Sequence, residues 1–172
     1  MKLSTRGRYA LRMMLDIALH PDESSVSLKS IAQRQGISVK YLEQILSKLV
    51  SSNLVEGTRG INGGYRLTRK AGEYMRASRG AQGGYQLNRP PEEYTVGTIL
   101  RTIEGSLAPV ACLEGGEELC DRQDRCVTVE VYRRIDEAID NVVDRITLKD
   151  LVDLQHEKWG GDVAPEGAVP DC

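Results

Sequence analysis

The stretch ISVKYLEQILSKLVSS constrains this chain more than any other. Leu42, Ile45, Leu46, Leu49 and Val50 recur at i, i+3, i+4, i+7 and i+8, a spacing that only an α-helix brings to one side. Ser38 stands where an N-cap belongs. Lys40, Glu43, Gln44, Ser47 and Lys48 are thereby turned away from the core. Just upstream, VSLKSIAQRQG predicts a short helix capped by Ser27, with Leu28, Ile31 and Ala32 apolar and Gly36 as its stop. A further amphipathic helix is expected from about Ser4 to His20, with Tyr9, Met13, Ile17, Ala10 and Met14 at helical spacing and Pro21 ending it. Two helices joined by a short glycine-containing turn, the second with a polar outer face, form a helix-turn-helix pattern.

The segment that follows predicts strands. NLVEGTR reads as one strand, INGG as a turn and YRLTR as its return. A glycine-tipped hairpin directly after such a helix is the wing of a winged helix, and Arg59 and Gly60 lie at its tip. A guanidinium suits the narrow minor groove of a duplex, where negative potential is concentrated. The segment is also written twice. Arg59-Gly60, Gly63-Gly64-Tyr65, Leu67, Arg69 and Glu73-Tyr74 recur twenty residues later as Arg79-Gly80, Gly83-Gly84-Tyr85, Leu87, Arg89 and Glu93-Tyr94. Either copy, or both, could project as a wing. Short-loop closure costs less chain entropy than long-loop closure, so the expectation is a wing over 54–69, with Leu54–Leu67 as its hairpin. A wing-like insertion then covers about 70–90. Arg59 is the first candidate for the minor groove and Arg79 the second.

Charge divides the chain. Residues 1–90 hold 15 Lys and Arg against 6 Asp and Glu, a formal +9, whereas residues 91–172 hold 8 against 19, a formal −11. A basic front half suits a polyanionic partner. Arg12 and Asp16 interrupt the apolar N-terminal stretch, and no apolar run reaches the roughly 18 residues that span a bilayer. The expectation is a cytoplasmic protein with no membrane association.

Thiol chemistry is confined to the acidic half. Cys112, Cys120 and Cys126 follow the pattern C-x7-C-x5-C around the pliable pair Gly115-Gly116, and Cys172 ends the sequence. Reduced thiolates are soft ligands for iron–sulfur clusters, zinc or copper(I). Structural zinc normally takes four Cys or His ligands. With no histidine in the loop, zinc is the less favoured metal. Direct thiol oxidation is a further reading. A long amphipathic helix is expected after the loop, with Val127, Val131, Ile135, Ala138, Ile139, Val142 and Ile146 on one face. Thr147 and Asp150 cap a short final helix, and residues 153–172 read as a disordered acidic tail. There is no C-x-x-C, Ser/His/Asp or paired-carboxylate constellation to suggest an enzyme.

Taken in order, STRGRYALRMMLDIAL, SLKSIAQRQGIS, YLEQILSKL, NLVEGTRGINGGYRL and TVGTILRTIEGSLAPV resemble the IscR-type family of bacterial winged-helix regulators, which includes IscR, NsrR, RirA and CymR. The resemblance runs from Met1 to about Val152. It implies a mainly α fold with a small β-hairpin: a winged helix-turn-helix domain over 1–100, then a cysteine loop and dimerisation helix over 101–152. It further implies a homodimer on double-stranded DNA carrying a near-palindromic operator. Ser38, Lys40, Tyr41, Glu43 and Gln44 would serve on the recognition helix, with Arg59, Gly60 and Arg79 in the wing segment. Glu43 could accept from a cytosine amino group, and Gln44 could pair with adenine.

The loop is similar to the family's cluster-binding loop, in which three cysteines ligate a 2Fe–2S or 4Fe–4S centre. The sequence departs from the family in its fourth ligand. Val129 stands where IscR has a histidine, and Arg8 stands where some relatives place an acidic residue. Glu130, Asp121, Glu118, His156, Cys172 or a small molecule remain as alternatives. A cluster-free, CymR-like regulator working through a partner protein is the alternative function, beside a zinc or thiol-based redox regulator.

Overall fold

A computed structural model describes residues 3–21, 26–58, 84–114, 120 and 125–159. Within them lie helices α1 (Thr5–Ala18), α2 (Leu28–Gln35) and α3 (Val39–Ser51), strands β1 (Val55–Thr58) and β2 (Gly84–Leu87), and helices α4 (Val96–Glu104), α5 (Val129–Val143) and α6 (Leu148–Trp159). Single 3-10 turns occur at Pro91–Glu93 and Ala111–Leu113. None of these helices is long and apolar enough to cross a membrane.

Local sequence starts each helix of the front half. Ser4, Ser27, Ser38 and Thr95 accept hydrogen bonds from the amides of Gly7, Ser30, Tyr41 and Thr98. Each such cap contributes about 1 kcal/mol. Gly36 closes α2 at φ 64°, a left-handed conformation that favours glycine. At the other end of the chain, the Thr147 amide donates to the Asp150 carboxylate at 2.8 Å and the Asp150 amide donates back to the Thr147 hydroxyl at 3.1 Å. This reciprocal pair opens α6, which continues through Asp153 to Trp159 where a tail was expected.

The sequence contains no Phe, and its core is built from aliphatic and methionine side chains. Met13 and Met14 of α1, Ile31 of α2, Leu42, Ile45 and Leu49 of α3, Ile99 of α4 and Leu148 of α6 are fully enclosed together. Among the described residues Tyr94 is the one large aromatic that is fully buried. Its hydroxyl donates to the Leu54 carbonyl at 2.9 Å and accepts from the Arg89 amide at 2.8 Å, while burial pushes the phenol above its ordinary pKa. A smaller cluster of Val96, Leu100 and Leu107 packs against Ile139, Val143 and Ile146 and joins α4 to α5.

The wing departs from expectation. β1 pairs antiparallel with β2, Val55 opposite Leu87 and Thr58 opposite Gly84, so its partner strand belongs to the second copy of the repeat. The expected Leu54–Leu67 hairpin is corrected to that extent, and residues 59–83 lie outside the described residues. Loop entropy was a weak guide, because a roughly fourfold longer loop costs only about 1 kcal/mol more to close. Tertiary contacts outweigh it. The Asn88 amide donates to both the carbonyl and the side chain of Asn53, at 2.8 and 2.7 Å, where the first copy has Thr68. The second copy is also the one continuous with α4, and its Tyr94, the counterpart of Tyr74 in the first, holds the residue before β1 through its hydroxyl. On its other edge β2 exchanges two backbone hydrogen bonds of 2.7 Å between Tyr85 and Val26.

Excision of Gly60–Arg79 would leave one copy and keep every residue of β1 and β2. The shortened chain is expected to unfold thermally at or slightly above the wild-type midpoint, stabilised by up to about 1 kcal/mol through its shorter loop. A large drop in a calorimetric scan would mean that the first copy carries packing of its own.

Candidate nucleic-acid interface and cysteine loop

Helix α3 presents its polar side to solvent. Lys40, Glu43, Gln44, Ser47 and Lys48 are exposed, while Leu42, Ile45, Leu46 and Leu49 are buried beneath them. Ser38 sits at the helix N-cap. Tyr41 differs from its neighbours: it is half-buried, with its ring edge-on to Tyr9 at 5.7 Å and 87°. The Arg12 guanidinium lies 5.3 Å from the Tyr9 ring and donates to the Gln35 carbonyl at 2.6 Å and to its side chain at 3.0 Å. Gln35 in turn donates to Asp16 at 2.8 Å. Arg34 forms a forked pair with the same carboxylate, with contacts of 2.5 and 3.1 Å. Asp16 is only 1% exposed. A buried carboxylate on α1 therefore organises the end of α2 and, through Arg12 and Tyr9, braces Tyr41 near the start of α3.

A surface groove of about 550 Å³ runs beside α3 and includes Arg6, Lys40, Glu43, Gln44 and Lys48 in its lining. Arg6, exposed in the first turn of α1, was not singled out by sequence reasoning. Its only signal was the basic N-terminal composition. Lys48 also acts inward, donating to the Ile103 carbonyl at 3.0 Å. Arg59, Gly60 and Arg79 lie outside the described residues, although Arg59 directly follows the last β1 residue.

The cysteines are placed as follows. Cys112 is half-buried in the Ala111–Leu113 turn, Cys120 is exposed, and Cys126 is half-buried just before α5; all three are free thiols. The Thr128 hydroxyl, 3.2 Å from the Cys126 sulfur, and then the Val129 amide hold this thiol below its ordinary pKa. Among the described residues no three Cys, His, Asp or Glu side chains converge on a common point. Glu118, Asp121 and Cys172 lie outside those residues. Val129 is 3% exposed, so the position at which IscR carries a histidine supplies packing here. Arg8 is half-buried on α1. Glu130 pairs with Arg133 at 2.6 Å, and His156 is exposed on α6. The donor chemistry, three reduced thiols and no histidine within the loop, suits an iron–sulfur cluster better than zinc.

The expected single stripe of α5 divides in two. Ile139 and Val143 pack inward on α4, and Ile146 follows them just past the helix. Val131, Ile135 and Val142 are 56%, 43% and 58% exposed, and Val127 precedes the helix in solvent.

A capped helix-turn-helix with a two-stranded wing, followed by a long helix, defines a winged-helix transcriptional regulator. The model of the Rrf2 family, described as an iron-dependent transcriptional regulator, matches residues 3–75 and 69–154, two stretches that meet within the doubled segment. The chain belongs to this family. It is 37% identical over 155 residues to the HTH-type transcriptional regulator IscR of Serratia proteamaculans, covering 90% of this chain and 81% of that protein. IscR of T. potens superposes with a TM-score of 0.65 at 35% identity, covering 92% and 91% of the two chains. CymR of B. subtilis, the global cysteine regulator, gives 0.64 at 35% identity over 90% and 98%. The chain is thus a transcriptional regulator of the IscR/Rrf2 type and not an enzyme.

Proposed function

We propose that the protein is a homodimer that binds a near-palindromic operator and that an iron–sulfur cluster held by Cys112, Cys120 and Cys126 modulates this binding. The observation that carries the reading is the exposed polar row of α3 standing over a buried apolar row, next to the β1–β2 wing. Lys40, Glu43 and Gln44 would reach base edges in the major groove, with Ser38 and Tyr41 positioning the helix. Arg59, and after it Arg79, would enter the minor groove from the segment joining the strands. The outward row Val131, Ile135 and Val142 supplies a self-complementary apolar surface for a second copy.

A bound cluster would supply a centre sensitive to iron, oxygen or nitric oxide. The protein's part is to place Cys126 directly before α5, so that the state of the loop bears on the helix proposed to join the subunits. After anaerobic purification the protein is expected to be brown, with iron and sulfide in equal amounts. A Cys112→Ala, Cys120→Ala, Cys126→Ala variant is expected to be colourless. A fully coloured triple variant would refute these ligands. A colourless wild type that still binds operator DNA would favour the second reading, a cluster-free regulator acting through a partner protein, to which the likeness to CymR lends weight.

A further inference from the structure

Helix α4 contacts α1 and α3 of the DNA-reading module and also α5. At its C-terminal end, Glu104 accepts from the Ser4 amide at 3.1 Å and from the Ser4 hydroxyl at 2.6 Å, while the Ile103 carbonyl accepts from Lys48 of α3. A Cβ on Gly7 would come within 2.2 Å of the Glu104 carboxylate, so that glycine admits the contact. These bonds join α4 to the helices of the DNA-reading module. At its N-terminal end the Val96 amide donates to the Ile146 carbonyl at 2.9 Å, and the Leu148 amide donates to the Tyr94 carbonyl at 2.8 Å. With Leu148 and Val152 of α6 buried in the main core, these bonds fix α6 and the α5–α6 junction to the module. The direction of α5 beyond that junction is set by its contacts with α4.

Among those contacts Arg101 supplies the directional one. Its guanidinium makes a forked pair with Asp144, with contacts of 2.6 and 3.0 Å, and a further ion pair with Asp140 one helical turn earlier on α5. Gly97 provides the space: a Cβ there would lie 1.9 Å from an Asp144 oxygen and 2.6 Å from the Arg101 guanidinium. The apolar contacts of Val96 and Leu100 with Ile139 and Val143 are non-directional and tolerate sliding, whereas a planar fork on a carboxylate fixes an angle. All three charged side chains are partly exposed, at 34%, 49% and 45%. Solvent screens such a pair, and what its forked geometry adds to the apolar packing is a fixed orientation. Arg101 also holds the Asp144 carboxyl below its usual pKa.

We infer that Arg101 is a positioning residue: clamped to Asp140 and Asp144, it fixes the angle between the DNA-reading module and α5, and so the separation of the two recognition helices in the dimer. The inference rests on the proposed dimer through α5. Half-sites one helical turn apart tolerate little error in that separation.

The test uses duplexes enriched by the full-length wild-type protein from a random-sequence pool. They are presented as the enriched site, as the same site with its half-sites moved by one base pair either way, and as a single half-site. Arg101→Gln is expected to bind the single half-site within about twofold of wild type. It should lose about tenfold on the full site, within the ordinary range of coupling between sites, and discriminate less between spacings. Gly97→Ala keeps all three charges and should reproduce this pattern, and Arg101→Lys should fall between. Unchanged spacing preference in both Arg101→Gln and Gly97→Ala would overturn the inference. So would equal losses on half and full sites, or a monomeric Arg101→Gln protein. A wild type with no preference for paired half-sites would instead defeat the proposed function on which the inference stands.

Discussion

Asp16→Ala is expected to destabilise the protein by about 3 kcal/mol, near the low end for breaking a buried ion pair because Arg34 is still partly exposed. The carboxylate is 1% exposed and satisfies Arg34 and Gln35 together. Its loss removes from Arg34 and Gln35 the buried carboxylate they share at the α1–α2 contact. For a domain of this size the thermal midpoint should fall by on the order of 10 °C. Asp16→Asn preserves the shape and one acceptor and should lose less. The damage should also reach α3, since Gln35 orients Arg12, Arg12 covers Tyr9, and Tyr9 braces Tyr41. Urea denaturation is the direct check. An Asp16→Ala protein within about 1 kcal/mol of wild type would mean that Arg34 and Gln35 find water instead.

The second large effect concerns specificity. Replacing Lys40 and Gln44 together by Ala removes two exposed side chains, and Ala is a stronger helix former than either. Folding should be unaffected. Each good base contact contributes about 1–3 kcal/mol of discrimination. The double variant should therefore lose on the order of a hundredfold in preference for the enriched site over random duplex, while binding random DNA nearly as well. Titration of both duplexes at one salt concentration separates these quantities. An equal loss on both would assign the two residues to the phosphate backbone.

The helices were legible because their signals are local. Ser27, Ser38, Gly36 and the Thr147–Asp150 pair act within one turn, and each occupies the place its neighbours in the chain predict. The pairing of the wing was not legible, because the two copies share the same short-range pattern of glycine, tyrosine, leucine and arginine. The choice between them falls to contacts such as Asn88 meeting Asn53, 35 residues away, where the first copy has Thr68. Helix α6 runs past Val152 through a segment rich in charge, where composition suggested a tail and the reciprocal cap governs instead. Arg101 lies within the family-like stretch TVGTILRTIEGSLAPV, but nothing local marked its role, since its partners lie 39 and 43 residues away. The cysteines were chemically legible from residue type and spacing, while their mutual geometry depends on the intervening segments of the loop.

The central requirement of the proposed function is a sequence-selective grip by a pair of subunits. Anaerobically purified protein, incubated with a random-sequence duplex pool and sequenced after successive rounds of capture, tests this most directly. The predicted outcome is enrichment of two inverted half-sites about one helical turn apart, bound by two chains per duplex. Enrichment of no sequence, with cofactor bound and after its removal, would contradict the account.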